Sequence, residues 1–341
     1  MEKLVSVIVP TYNGEKFIAQ TLGAIINQDY ENIEIIVVDD VSTDNTVEVA
    51  KKTLECSGRK FQLIRRTVNG HQSASRNTGL DASNGDYVIF FDHDDLAEKN
   101  FVSSLVREAE DKNADLVFCG FRYFYKTENR YEPEKFLPKK PLVEPEDYLR
   151  AWAKEEITLW SIWNFIFRKD FLLKKNLRFF EKIYIYEDFE FIFKAIPLSS
   201  RMSYVNDVLY THIYHPLQQS QTDPVLVNHN NDYKNYFQIV SALWWGGRCI
   251  LKHTNDKTIR THVFLLYIAM PLLRYCRLCI RAGDKQRYDR LVTTLKHKKI
   301  RRIMLLILTS QKDVGLFFKA FMMTHFPNFY FKIRSKMPRL N

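Results

Sequence analysis

Apolar and polar positions alternate in blocks along the first hundred residues, and the blocks change period as they go. Val5-Ser6-Val7-Ile8-Val9 is a short β-branched run, and Phe17 to Ile26 carries a helical stripe. Ile33-Glu34-Ile35-Ile36-Val37-Val38 is a second strand that ends in Asp39-Asp40. Thr43-Asp44-Asn45-Thr46 has the polar character of a helix start and predicts a helix to about Leu54. A third strand, Phe61 to Ile64, precedes a helix over about Ser73 to Ala82, and Tyr87-Val88-Ile89-Phe90-Phe91 is a fourth strand. Strands separated by single helices require right-handed crossovers, so the pattern predicts an α/β fold with a mostly parallel sheet flanked by helices.

The polar clusters fall where such a sheet concentrates chemistry. Pro10 to Asn13, Asp39-Asp40, His71 to Asn77 and Asp92-His93-Asp94-Asp95 each follow one of the four strands, so they converge on the C-terminal edge of one sheet. Three carboxylates delivered together by one strand repel unless a cation lies between them. Hard oxygen donors favour magnesium or manganese over zinc. Taken alone, the same acids also fit a solvated turn before a helix, since Asp caps helices well.

Together these blocks resemble the family 2 glycosyltransferases. The resemblance is carried by Val5 to Gly14, by Ile33 to Asp44, by Ser75-Arg76-Asn77-Thr78-Gly79-Leu80, and by Gly85-Asp86-Tyr87 leading into Asp92 to Asp95. It implies the A-type nucleotide-sugar transferase fold, with a nucleoside diphosphate sugar and a Mn2+ or Mg2+ ion on one sheet. It further implies that Pro10 and Tyr12 frame the base, that Asp40 and less directly Asp39 meet a uracil or similar imino group, and that Arg76 lies near the diphosphate. Asp92 would contact the ribose and share the metal with Asp94. The chain departs from the pattern at Val41, where the family usually has Gly after the paired acids, and at His93, where a small residue is usual.

Transfer to a sugar hydroxyl needs a carboxylate to take its proton. Asp188, in Tyr186-Glu187-Asp188-Phe189-Glu190, opens an apolar helix. An acid there also serves as a helix-start charge, but the resemblance places the general base at this Glu-Asp pair, with Glu187 positioning the acceptor. Leu159 to Arg168 resembles the family's Trp-Asn block, with Phe165 where a basic residue is common. Trp160 and Trp163 are candidate acceptor platforms, because aromatic faces suit sugar rings; core packing is the alternative. His215 and Ser220 fall in the loop expected to close over the donor, where a histidine reaches the diphosphate or simply faces solvent.

Charge divides the chain. Residues 1–224 hold 28 Lys+Arg against 35 Asp+Glu, whereas residues 225–341 hold 22 against 5 with no Glu, within an overall +10. The basic part carries apolar stretches in helical spacing: Val263 to Met270, Leu291 to Arg302, Ile303 to Leu308 and Leu316 to Met323, with Phe329 to Arg334 beyond. These features predict two units: a nucleotide-sugar-binding catalytic domain over 1–223, and a basic α-helical extension over 224–341. The extension either lies on an anionic membrane surface or packs on the catalytic domain with basic outer faces. No helix-turn-helix pattern or zinc spacing supports nucleic acid as a partner. Pro271 and Arg274 interrupt the longest apolar run, so a peripheral association is expected and not a span.

Met1-Glu2-Lys3 leads directly into the first strand, and five cysteines form no regular framework, so a cytoplasmic site at the inner face of the cell membrane is expected. Cys276 and Cys279 form a lone pair without nearby histidines. The expected activity is a metal-dependent, inverting transfer of one hexosyl or N-acetylhexosaminyl group, with UDP as the default nucleotide. The acceptor would be a glycan or lipid-linked molecule of bacterial surface polysaccharide synthesis. A sugar nucleotidyltransferase would want a Gly-rich basic loop after the first strand, which Pro10 to Lys16 does not supply. A non-catalytic membrane-surface scaffold would be free to lose the acids, yet Asp40, Asp92, Asp94 and Asp188 are all present.

Overall fold

The computed structural model describes residues 2–132, 137–138, 142, 144–159, 161–217, 233–263, 267–268 and 270–295. Trp160, Ser220 and the apolar-basic segments from Ile303 onward lie outside the described residues. The N-terminal half alternates as the pattern predicts: β1 (Val5–Thr11), α1 (Ile18–Ile26), β2 (Ile33–Asp39), α2 (Thr46–Glu55), β3 (Lys60–Arg65), α3 (His71–Ala82) and β4 (Tyr87–Phe90). β1, β2 and β4 are buried along their whole length, as strands covered by helices on both faces must be. Gly79 lets α3 close onto the sheet; a Cβ there would stand 2.3 Å from Ile8 Cγ2.

Beyond β4 the chain continues with β5 (Leu96–Ala97), α4 (Phe101–Asp111), β6 (Leu116–Tyr125), β7 (Arg130–Glu132), α5 (Pro145–Ala153), β8 (Phe165–Arg168), α6 (Lys169–Lys174), α7 (Glu187–Leu198) and β9 (Met202–Tyr214). The sheet order is β3-β2-β1-β4-β8-β6-β9-β5, with β7 paired to β6. The first four strands are parallel, as expected. The sheet is mostly parallel, as the pattern predicts, with β8 inserted antiparallel between β4 and β6, while β6 and β9 run parallel to each other. Met202 to Tyr214 forms the single long strand β9, with register shifts along Cys119 to Phe121 of β6.

Two cores flank the sheet. On one face Val7, Val9, Ile35, Val37 and Phe91 meet α1 and α4. On the other, Ile8, Ile36, Val88 and Phe90 meet Phe191, while Phe189 and Phe193 of α7 reach the later helices. Those later helices are α8 (Tyr233–His253), α9 (Lys257–His262), α10 (Met270–Arg281) and α11 (Lys285–Leu295). Tyr236, Ile239, Val240, Leu243 and Ile250 of α8 belong to the same core as Phe189 and Phe193, so the described helices after residue 232 pack directly on the sheet's helical layer.

Candidate functional site

The strand ends gather the expected acids at one edge, and short loops lock them. Asp39, the last residue of β2, is fully buried and accepts the Ser42 amide on both oxygens, at 3.3 and 3.2 Å. Asp40 accepts the Gly70 amide at 3.1 Å on each oxygen and the Arg66 guanidinium at 2.5 Å. In this structure, therefore, Asp39 shapes the β2–α2 turn and Asp40 ties that turn to the segment before α3. Asn13 braces the neighbouring loop: its amide donates to Ser42 Oγ and its side chain accepts from the Thr43 amide, both at 2.9 Å. Tyr12 is 40% exposed at this rim, and Pro10 is buried within β1. Val41 adopts φ +68°. A β-branched residue thus holds a left-handed angle that glycine would take without strain.

Arg76 is the centre of the arrangement. It rises from α3, fully buried, and its two terminal nitrogens reach acids from separate parts of the chain. Nη2 donates to Asp92 at 2.9 Å; Nη1 donates to Glu187 at 3.0 Å and makes a short ion pair with Asp188. The Phe179 ring lies 5.4 Å from its guanidinium carbon, and its buried Nε has no hydrogen-bond partner. Burial opposes the Arg76 charge, but Asp188, Asp92 and Glu187 outweigh it, so the guanidinium stays protonated. Burial also pushes the Asp188 carboxyl well above the ordinary carboxylate range; Arg76 opposes this, and Glu187 and Asp92 add to it. Glu187 and Asp188 form the first turn of α7, and the residue before them, Tyr186, is held at φ +64° with its ring 48% exposed.

The acids after β4 divide into two roles. Asp95 is fully buried and is gripped by β9: Tyr210 Oη and His212 Nδ1 approach at 2.9 Å, and the Ile213 amide donates at 2.8 Å. It is not a helix cap. Burial raises its carboxyl to about 6, with His212 opposing and Asp94 and Asp92 contributing. Asp94 meets His215 Nε2 at 3.0 Å, and the His215 ring stacks on Phe17 at 4.0 Å. Burial would raise Asp94, but His93, the His215 hydrogen bond and His212 together hold it at about 2, so it stays ionised.

Residues 6–177, just over half of the chain, match the model of glycosyl transferase family 2. The chain belongs to that family. This family 2 chain is 33% identical over 218 residues to an uncharacterized glycosyltransferase, EpsJ, of Bacillus subtilis (strain 168), covering 63% of this chain and 62% of that one. It is 28% identical over 233 residues to the cholesterol galactosyltransferase of Borreliella burgdorferi, covering 65% and 63%. The match thus spans a little over three fifths of each relative's length. Among solved structures, TarS 1–349 of S. aureus in complex with UDP superposes with a TM-score of 0.56 at 23% identity, over 84% of this chain and 83% of that one. The mannosyltransferase PcManGT of Pyrobaculum calidifontis, in complex with GDP-Man and Mn2+, does so with a TM-score of 0.54 at 17% identity, over 96% and 88%. These likenesses show that the family 2 chain has the A-type nucleotide-sugar transferase fold.

The structure joins Asp92, Glu187 and Asp188 through Arg76 and pairs Asp94, two residues on from Asp92, with His215. It does not bring Trp163. That ring is 6% exposed, stacked on Tyr210 at 4.5 Å and on His212 at 5.4 Å, with Phe121 edge-on at 4.6 Å, so no face remains for a sugar. The Trp-Asn block is instead the approach to the inserted strand β8, where Asn164 donates to the Cys119 carbonyl at 2.6 Å. His215, expected in a loop, is buried against Phe17. Tyr210 and His212 were not legible as site residues; the one local signal is their spacing of two, which puts both on one face of β9.

A divalent cation fits this edge as a site shared with a ligand. Among the described residues no three His, Cys, Asp or Glu side chains gather as a protein-only ligand set. Asp92 and Asp94 each have a second carboxylate oxygen outside their pairs with Arg76 and His215, and the buried Nδ1 of His215 has no hydrogen-bond partner. Two hard carboxylates completed by phosphate oxygens are the donor set that magnesium and manganese take.

Proposed function

We propose that this protein is a metal-dependent glycosyltransferase. It moves one sugar from a nucleoside diphosphate sugar, with UDP as the nucleotide, to a hydroxyl of a glycan or lipid-linked acceptor in surface polysaccharide assembly, with inversion at the anomeric carbon. The observation that carries the reading is the Arg76 cage. One buried guanidinium joins Asp92, at the strand end that faces the donor, to Glu187 and Asp188 at the start of α7. UDP and UDP-GlcNAc complexes of TarS and the Mn2+ complex of PcManGT support the donor class and the metal.

Asp92 and Asp94 would hold the cation together with phosphate oxygens of the donor, and the bound cation would offset negative charge on the diphosphate. Arg76 adds a fixed positive charge beside the same group and needs no reorganisation as the diphosphate leaves. Asp188 takes the proton. The carboxylate oxygen accepts the acceptor's hydroxyl hydrogen as the new bond to the anomeric carbon forms and the bond to the diphosphate oxygen breaks. The Arg76 guanidinium paired with Asp188 favours the ionised carboxylate that the step requires. One displacement requires no enzyme nucleophile and inverts the centre.

The test is donor hydrolysis and binding with Mn2+ or Mg2+ over a panel of UDP-, GDP- and dTDP-sugars. Asp94→Ala is expected to lose the metal-dependent activity. Asp188→Asn is expected to bind donor normally and to lose transfer by about 10²- to 10⁴-fold. Near-normal transfer by a folded Asp188→Asn protein would remove Asp188 as base, and absence of donor binding by the parent would remove the transferase reading.

A further inference from the structure

One face of α8 has no counterpart in the transferase reading. The helix is 21 residues long and contains no Asp or Glu. Its inner face, with Ile239, Val240, Leu243 and Ile250, is buried in the core that Phe189 and Phe193 share. Gly246 brings it close to α7: a Cβ there would lie 3.1 Å from Phe193 Cβ. The opposite stripe repeats at helical spacing and carries Phe237, Trp244, Trp245, Arg248 and Lys252. Phe237 is 49% exposed and Trp245 48%, and Arg248 and Lys252 are exposed too. The Arg248 guanidinium lies 5.9 Å from the Trp244 ring and 5.7 Å from the Trp245 ring, so cation and indole occupy the same patch.

We infer that this α8 face is a docking surface for an anionic lipid headgroup layer, with the Phe237 and Trp245 rings at the acyl boundary and Arg248 and Lys252 on the headgroup phosphates. Indoles with flanking cations suit the interfacial zone, where an apolar ring body and a charged tip each find a partner. Charge selects this occupant over a second copy of the chain. A two-fold dimer through the face would set like charges against each other. The stripe is also small: a 21-residue helix is about 32 Å long, and a strip about 10 Å wide covers about 300 Å², well short of the about 800 Å² per partner of a stable interface. Among the described residues no helix is long and apolar enough to cross a membrane. The expected segments beyond residue 302 lie outside the described residues, so the α8 face is a separate and more specific assignment.

α7 and α8 run side by side in the same direction. Gly246 of α8 packs against Phe189 and Phe193 of α7, and three residues further on Cys249 lies by the Lys194 carbonyl.

The experiment is co-sedimentation of the full chain with vesicles of equal parts phosphatidylglycerol and phosphatidylcholine, against pure phosphatidylcholine vesicles. The parent is expected to bind the anionic vesicles with a blue-shifted tryptophan emission and to leave the neutral ones. Phe237→Ala with Trp245→Ala should weaken binding by about tenfold or more, and Arg248→Gln or Lys252→Gln by about fivefold each. Donor hydrolysis by the same variants should match the parent, which separates this outcome from the fate of the transferase reading. The inference is overturned if the parent ignores anionic vesicles, binds both compositions alike, or binds undiminished in the aromatic double variant. A parent dimer that Trp245→Ala dissolves in light scattering would overturn it as well, in favour of a second copy.

Discussion

Val41 shows how a single backbone angle outlasts the residue best suited to it. A φ of +68° costs an L-residue about 1–2 kcal/mol through the clash of its Cβ with the following carbonyl. The turn is nevertheless held on both sides, by the Asp39 contacts to Ser42 and the Asp40 contacts to Gly70 and Arg66. Val41 is only half-buried, so its side chain contributes little core. Val41→Gly should therefore stabilise the protein by about 0.5–1 kcal/mol, after subtracting the extra freedom glycine has when unfolded. Urea denaturation reads this directly; an unchanged or lower midpoint would show that the turn is not strained. The sequence marked the position as a departure, but a letter does not disclose an angle. Arg76 carries the same lesson, because its partners Glu187 and Asp188 stand 111 and 112 positions away and no local pattern couples them.

At the scale of elements, the far edge of the sheet is fastened as tightly as the site edge. Glu34 on β2 is buried and accepts from Ser6 Oγ at 2.5 Å, from the Asn84 amide at 2.5 Å and from Asn84 Nδ2 at 3.1 Å; Ser6 Oγ in turn accepts from the Gly85 amide at 2.8 Å. One carboxylate thus joins β1, β2 and the turn into β4. Burial raises its pKa, but these donors outweigh burial and hold it below the ordinary 4.5. A depressed folded pKa means that the stabilisation is complete above the unfolded value and is lost as pH falls through the folded one. The parent should therefore lose stability on acidification below about pH 4.5, while Glu34→Gln starts about 1–3 kcal/mol lower and changes less over that window. Parallel acid limbs in urea midpoints measured from about pH 6 to about pH 3 would exclude Glu34 as the titrating group. The parallel strands and their helices were legible because buried runs separated by single stripes admit few arrangements. β8 was not, because a four-residue apolar run carries no mark of its direction or neighbours.

For the molecule as a whole, the acidic N-terminal part and the basic C-terminal part meet at α7 and α8, where Glu187 and Asp188 open one helix and the other, which holds no Asp or Glu, packs beside it. The match to the family model stops earlier than the physical unit does. The match ends at residue 177, yet Asp95 depends on Tyr210, His212 and Ile213, Asp94 on His215, and β6 on ten paired positions of β9. A chain shortened to residue 177 would keep most of the recognisable motifs and strand a buried carboxylate without its three partners, a loss of several kcal/mol before the exposed edge of β6 is considered. Such a fragment is expected to be insoluble or molten by near-ultraviolet circular dichroism, whatever motifs it retains. The shortest piece that keeps Asp94 and Asp95 paired must reach His215, so the last of these strands to leave a ribosome is the one that anchors acids delivered by the fourth.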